Sequence, residues 1–197
     1  MSIQNPQKDV FIGFDLDGVL INHTKIKIFL AAKRNIKLLP RQTQSEILKS
    51  VISAPVLEKI QYELYDHPKT SILSPLMPGA KMILNKLKKK KIKFALISRR
   101  KNQEGAIRLM KLRGLWPTFF NEKNSFFVTE ATEKNTQAKL LGITHFIDDE
   151  KHILGHLNQV KNKFLFDRLN VFKNDDRYFR ILSWQNFNEY LSKNKII

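Results

Sequence analysis

Five short apolar runs recur along the chain, each bounded by polar or turn-forming residues: Val10 to Phe14, Phe94 to Ile97, Phe126 to Val128, His145 to Ile147 and Phe164 to Phe166. Runs this short and continuous suit strands covered on both faces, as in a parallel sheet. Helical spacing appears between them. Ala80, Ile83, Leu84 and Leu87 recur in this way after Pro78, and Ala106, Leu109, Met110 and Leu112 do so before Gly114, a C-terminal stop signal. A further helix is expected from Lys134 to Leu141 with Gly142 ending it, and a last one, capped by Ser183, carries Phe187, Tyr190 and Leu191. This alternation predicts an α/β fold built on a doubly wound parallel sheet.

The roughly 60 residues between Gly18 and Met77 break the rhythm and are too many for an ordinary connection. They are patterned, however. Ile26, Phe29 and Leu30, then Ile47, Leu48, Val51 and Ile52, then Leu57, Ile60 and Leu64 fall at helical spacings, with Pro40 and Pro55 between the groups. The expected organisation is a core formed by residues 1–20 and 76–197, with a small helical insert over 21–75.

Acidic residues sit where strands should end. Asp15 and Asp17 follow the first run directly, with Gly18 next, and Asp148 and Asp149 end the fourth. Open α/β sheets bind ligands at the carboxyl ends of their strands. Turn formation alone could account for either pair. Two pairs brought together would repel unless a cation neutralised them, and hard oxygen ligands select magnesium or a similar divalent ion. A metal-held Asp beside a phosphate can also act as a nucleophile.

The 197 residues carry 35 Lys and Arg against 18 Asp and Glu, a formal charge of +17. Such a balance admits a polyanionic partner, an anionic substrate or simply a lysine-rich surface. The densest basic stretch, Lys86, Lys88 to Lys91 and Lys93, reads as a solvated helix C-terminus, since no aromatic residues interleave it as stacking platforms. With 42% hydrophobic residues the chain can bury a core. Its lack of cysteine excludes disulfides and thiol chemistry. Neither a secretory leader nor a membrane span is apparent, so a cytoplasmic protein without a membrane partner is expected.

Four segments, in order, bring a family into view: Phe14-Asp15-Leu16-Asp17-Gly18-Val19, Leu96-Ile97-Ser98, Lys134 before Leu141-Gly142-Ile143, and Ile147-Asp148-Asp149. With Met77-Pro78-Gly79-Ala80, Gln103 to Ala106 and Ser183-Trp184, the sequence resembles the haloacid dehalogenase superfamily in its phosphatase-like branch. The resemblance runs from Val10 to Leu191, the insert excepted.

It implies a Rossmann-like core with a helical cap, and a Mg2+-dependent phosphomonoester hydrolase acting on a small phosphorylated metabolite. In that scheme Asp15 attacks phosphorus and Asp17 serves as acid and then base. Ser98 and Lys134 meet the phosphoryl charge. Asp15, the Asp17 carbonyl and Asp149 hold the metal, with Asp148 direct or through water. A further acid one turn beyond Asp149, common in the family, is replaced by Ile153.

Other readings stand beside these. Ser98 could be a strand-terminal serine, and Lys139 competes with Lys134 from another face of its helix. Arg99 and Arg100 either hold an anionic part of the substrate or are surface residues. His23, His67, His145, His152 and His156 read as structural or surface residues, none paired with a serine nucleophile. A phosphotransferase or mutase could use the same scaffold, and the charge leaves room for a polynucleotide end phosphatase or nucleic-acid binder, although a cap would hinder a duplex.

Overall fold

All five expected strands form, and a sixth joins them at the sheet edge: β1 (Phe11–Phe14), β2 (Lys93–Ser98), β3 (Ser125–Phe127), β4 (His145–Asp148), β5 (Asn162–Phe166) and β6 (Phe179–Ile181). The computed structural model describes residues 10–197, so residues 1–9 of the expected core segment 1–20 lie outside the described residues. The strands lie in the order β3-β2-β1-β4-β5-β6, and every pairing is parallel. Strand β6 carries no continuous apolar run. Only Ile181 of its three residues is buried, and Arg180 at its centre donates to Asp167 at 2.8 Å.

Alternation along the strands supplies two cores. Phe14, Leu96, Ile147, Phe164 and Phe166 pack on one face with α4 (Ala80–Lys89), α5 (Gln103–Leu112) and α8 (Trp184–Lys193). Ile97, Phe146 and Leu165 pack on the other face with α6 (Ala131–Leu141) and α7 (Lys151–His156). Period-two alternation sends neighbouring strand residues to opposite faces, so a fully apolar strand serves both layers. Gly13 of β1 makes this packing possible, because a Cβ there would lie 2.3 Å from Phe146 Cδ2.

Between β1 and α4 run α1 (Thr24–Ala32), a short 3-10 turn at Pro40–Thr43, α2 (Ser45–Val51) and α3 (Ala54–Tyr65). These helices share an apolar cluster of their own around Leu30, Leu48, Ile60 and Leu64. The two linkers joining them to the sheet run side by side: Asn22 N donates to Pro75 O at 2.8 Å and Met77 N to Leu20 O at 2.8 Å. Among the described residues, no helix is long and apolar enough to cross a membrane.

The strand order reverses between β1 and β4. Such a switch point opens a crevice at the carboxyl ends of its two strands, and both acidic pairs emerge there.

Candidate active site

Asp15 leaves β1 with its N–H still tied to Ile147 O of β4 at 3.0 Å, so its position is fixed by the sheet. The chain then turns sharply. Gly18 has φ +86° and donates to Ile21 O at 2.9 Å, a left-handed conformation that glycine adopts without the penalty of a side chain. A Cβ on Gly18 would also lie 2.4 Å from Asp149 Cγ, which shows how closely the Asp149 carboxylate approaches this turn.

Lys134 reaches the crevice from the first turns of α6. Its Nζ donates to Asp15 Oδ1 and to Asp148 Oδ2, each at 2.7 Å, and lies 5.1 Å from the centroid of the Phe146 ring. The ammonium is almost wholly buried, and its charge is compensated by the two carboxylates it joins. The other Asp148 oxygen accepts from Glu150 N at 3.0 Å. Ser98 ends β2 on the far side of Asp15, buried, with Oγ accepting from Arg100 N at 3.3 Å.

Asp17 is held through one oxygen. His23 Nε2 lies 2.6 Å and Arg100 Nη1 3.4 Å from its Oδ1. Arg100 also donates to Tyr65 O at 3.2 Å and stacks over the Tyr65 ring, tying the end of β2 to helix α3. Gln44 of the insert donates to Asp149 O at 2.9 Å. The insert therefore lies over the crevice and, with it, encloses a cavity of about 340 Å³. Asp15, Asp17, Ser98, Arg100 and Lys134 line its floor, and Lys27, Leu48, Ile60, Leu64 and Tyr65 its roof.

Crowding of charge perturbs these groups. Burial pushes the Asp15 carboxyl up, Lys134 pulls it down, and Asp148 and Asp17 push it up again, with a net rise to about 7. Burial and the neighbouring Glu150, Asp148 and Asp15 hold Asp149 well above the usual carboxylate range, opposed by Lys27. Asp148 is likewise raised, chiefly by burial, against the pull of Lys134. Asp17 moves the other way: burial would raise it, but Arg100 and its His23 hydrogen bond outweigh that and lower it.

Among the described residues no three carboxylate or imidazole side chains converge on one metal position. A cation would fit nonetheless beside Asp15 and Asp149, where like charges crowd a buried carboxylate against the Asp17–Gly18 backbone and backbone oxygen can complete a hard-ligand set.

No family model and no curated protein matches the chain. Solved structures do. A HAD family hydrolase from Deinococcus radiodurans, with bound phosphate and sodium, aligns at a TM-score of 0.65 with 17% identity over 96% of this chain and 97% of its own. A candidate beta-phosphoglucomutase from Thermotoga maritima aligns at 0.60 with 14% identity over 93% and 99%. A predicted phosphoglycolate phosphatase from Haemophilus somnus 129pt aligns at 0.60 with 11% identity over 91% and 96%. The fold is the haloacid dehalogenase fold.

Within this haloacid dehalogenase fold, Asp15, Asp17, Ser98, Lys134, Asp148 and Asp149 all come to one crevice. Lys139 is exposed on the other side of its helix. Arg99 lines the cavity but faces Glu150, 3.5 Å away, whereas its neighbour Arg100 is the buried arginine bound to Asp17. Ile153 contributes an apolar wall to the same cavity. His23, expected to be structural or on the surface, is buried between Asp17 and Ser74, with Ser74 Oγ 2.6 Å from Nδ1. Ser74 is itself fully buried, so the trio is not a nucleophile poised for substrate. Nothing in the sequence signals it, since Ser74 lies 51 positions from His23.

Proposed function

We propose that this protein is a Mg2+-dependent phosphomonoester hydrolase that works through an aspartyl-phosphate on Asp15 and acts on a small phosphorylated metabolite in the cytoplasm. The observation that carries this reading is the bridge of Lys134 between Asp15 and Asp148 at the sheet's switch point, with Asp17 two residues on and facing the same cavity.

In the first step an Asp15 oxygen attacks phosphorus and the bond to the leaving oxygen breaks, while Asp17 gives that oxygen a proton. In the second, Asp17 takes a proton from water as the water attacks the aspartyl-phosphate; inorganic phosphate leaves and Asp15 is restored. Lys134 offsets charge shared by nucleophile and phosphoryl group, and Ser98 Oγ donates to a phosphoryl oxygen. Asp17 rests as a carboxylate; the negative charge of an entering phosphate ester opposes Arg100 and favours the protonated form that the first step needs.

Asp15, Asp149 and the Asp17 carbonyl would hold Mg2+, with Asp148, whose oxygens accept from Lys134 and from Glu150 N, contributing directly or through water. When bound, the ion supplies charge neutralisation for phosphoryl oxygens and keeps Asp15 ionised. Residues 21–75 act as a cap. Arg100, bridging Asp17 and Tyr65, and Gln44, bound to Asp149, support that reading, as does a cavity scaled to a small ligand and not to a duplex.

The likeness to the Thermotoga maritima protein favours one second reading, phosphoryl transfer to a sugar hydroxyl in place of water. A panel of phosphate esters assayed with Mg2+ and with EDTA, on wild type and Asp15→Asn, tests the proposal. Metal-dependent release of free phosphate, lost in the variant, is expected; an isomer as product would indicate transfer, and full activity in Asp15→Asn would remove Asp15 as nucleophile.

A further inference from the structure

His23 is the last residue before α1, on the first linker of the insert, and Ser74 lies opposite on the second, next to the Asn22–Pro75 backbone hydrogen bond. Arg113 at the end of α5 donates to the Ser74 carbonyl at 2.8 Å, and so anchors that linker to the sheet layer. The imidazole is edge-on to the Tyr65 ring, with centroids 5.6 Å apart. Both ring nitrogens are within 2.6 Å of a partner. These partners are consistent with one arrangement of a neutral ring: Ser74 O–H donates to Nδ1, and Nε2–H donates to Asp17 Oδ1.

The consequence falls on Asp17. Its Oδ1 is shared by His23 and Arg100, whereas Oδ2 has no hydrogen-bond partner among the described residues and belongs to a side chain that lines the cavity. We propose that His23, held by Ser74, is a positioning residue for Asp17: it pins Oδ1 and thereby presents Oδ2 to the oxygen of the departing group. The arrangement needs residues from both linkers, so the acid is aligned only when the insert's two attachments stand as they do here. This inference rests on the acid role proposed for Asp17.

Leaving-group chemistry separates positioning from mere support. Departure of p-nitrophenolate needs no proton, whereas an alkoxide leaving group does. The comparison is of kcat/KM for p-nitrophenyl phosphate and glycerol 2-phosphate, which reads the steps through leaving-group departure and excludes the shared second step.

For His23→Ala we expect a loss of about tenfold to a hundredfold on glycerol 2-phosphate, part of the effect typical of a whole general acid, and less than about threefold on p-nitrophenyl phosphate. His23→Gln, which keeps an N–H donor, should recover part of the loss. Ser74→Ala should show the same selectivity more weakly, and these two milder variants carry the test if His23→Ala does not fold.

Asp17→Asn is the reference. If it discriminates between the two esters while the His23 and Ser74 variants lose both activities equally or neither, the positioning role is overturned and the acid stands. If Asp17→Asn itself does not discriminate, the acid role fails and the positioning role with it.

Discussion

Asp149 carries a buried carboxylate whose nearest charges are mostly of its own sign, with Lys27 the opposing cation. Its folded-state value lies well above the ordinary carboxylate range, so the folded protein binds this proton more tightly than the unfolded chain does. The stability it contributes is complete below the unfolded value and is lost as pH rises through the folded one. In EDTA, Asp149→Asn should therefore gain on wild type in melting temperature as pH rises above the ordinary carboxylate range. A gap that stays constant or moves the other way would show that the carboxylate is compensated.

At this scale the sequence was informative for side chains that directly follow a strand, as with Asp15, Asp17, Asp148 and Asp149, which the fold gathers at one crevice. It was silent where a role depends on a distant partner: Arg100 meets Asp17 across 83 positions and His23 meets Ser74 across 51. Adjacent Arg99 and Arg100 look alike in the chain, and only the fold turns one toward Glu150 and buries the other against Asp17.

Elements place these residues by contacts that tolerate little change. Gly13 of β1 lets the Phe146 ring of β4 lie against the strand backbone, and that ring lies beneath the Lys134 ammonium. Gly13→Ala puts a methyl group 2.3 Å from Phe146 Cδ2 with Ile143 Cδ1 3.0 Å away, so the ring must shift. Overpacking of this kind costs about 1–3 kcal/mol. A fall of that size in unfolding free energy, read by urea denaturation, is expected; an unchanged value would mean that the two strands separate freely.

The main strands and helices were legible because burial on both faces of a parallel sheet writes continuous apolar runs. Strand β6 and helix α7 escaped: one is a three-residue edge strand with an arginine at its centre, the other a six-residue helix too short for a repeating pattern. Helix α6 begins at Ala131, three residues before the expected start, with Glu133 accepting from Thr129 N and Glu130 N at 2.7 and 3.2 Å.

For the molecule as a whole, the net charge of +17 and the acidic crevice are complementary facts. The basic run near the end of α4 is partly committed locally, Lys86 to Asn188 and Lys88 to the Thr118 carbonyl, as expected of a solvated helix end. A positive surround raises the encounter rate with anionic esters, while Lys134 and the proposed cation make the local cluster tolerable to a phosphoryl group. Trapping the covalent intermediate tests the central claim most directly. Quenching the enzyme during turnover and treating it with borohydride reduces an acyl phosphate on aspartate to homoserine, which peptide mass spectrometry locates. Homoserine at position 15, dependent on substrate and missing from Asp15→Asn, is the predicted result; phosphate release with residue 15 unmodified, or with the label on another residue, would contradict it.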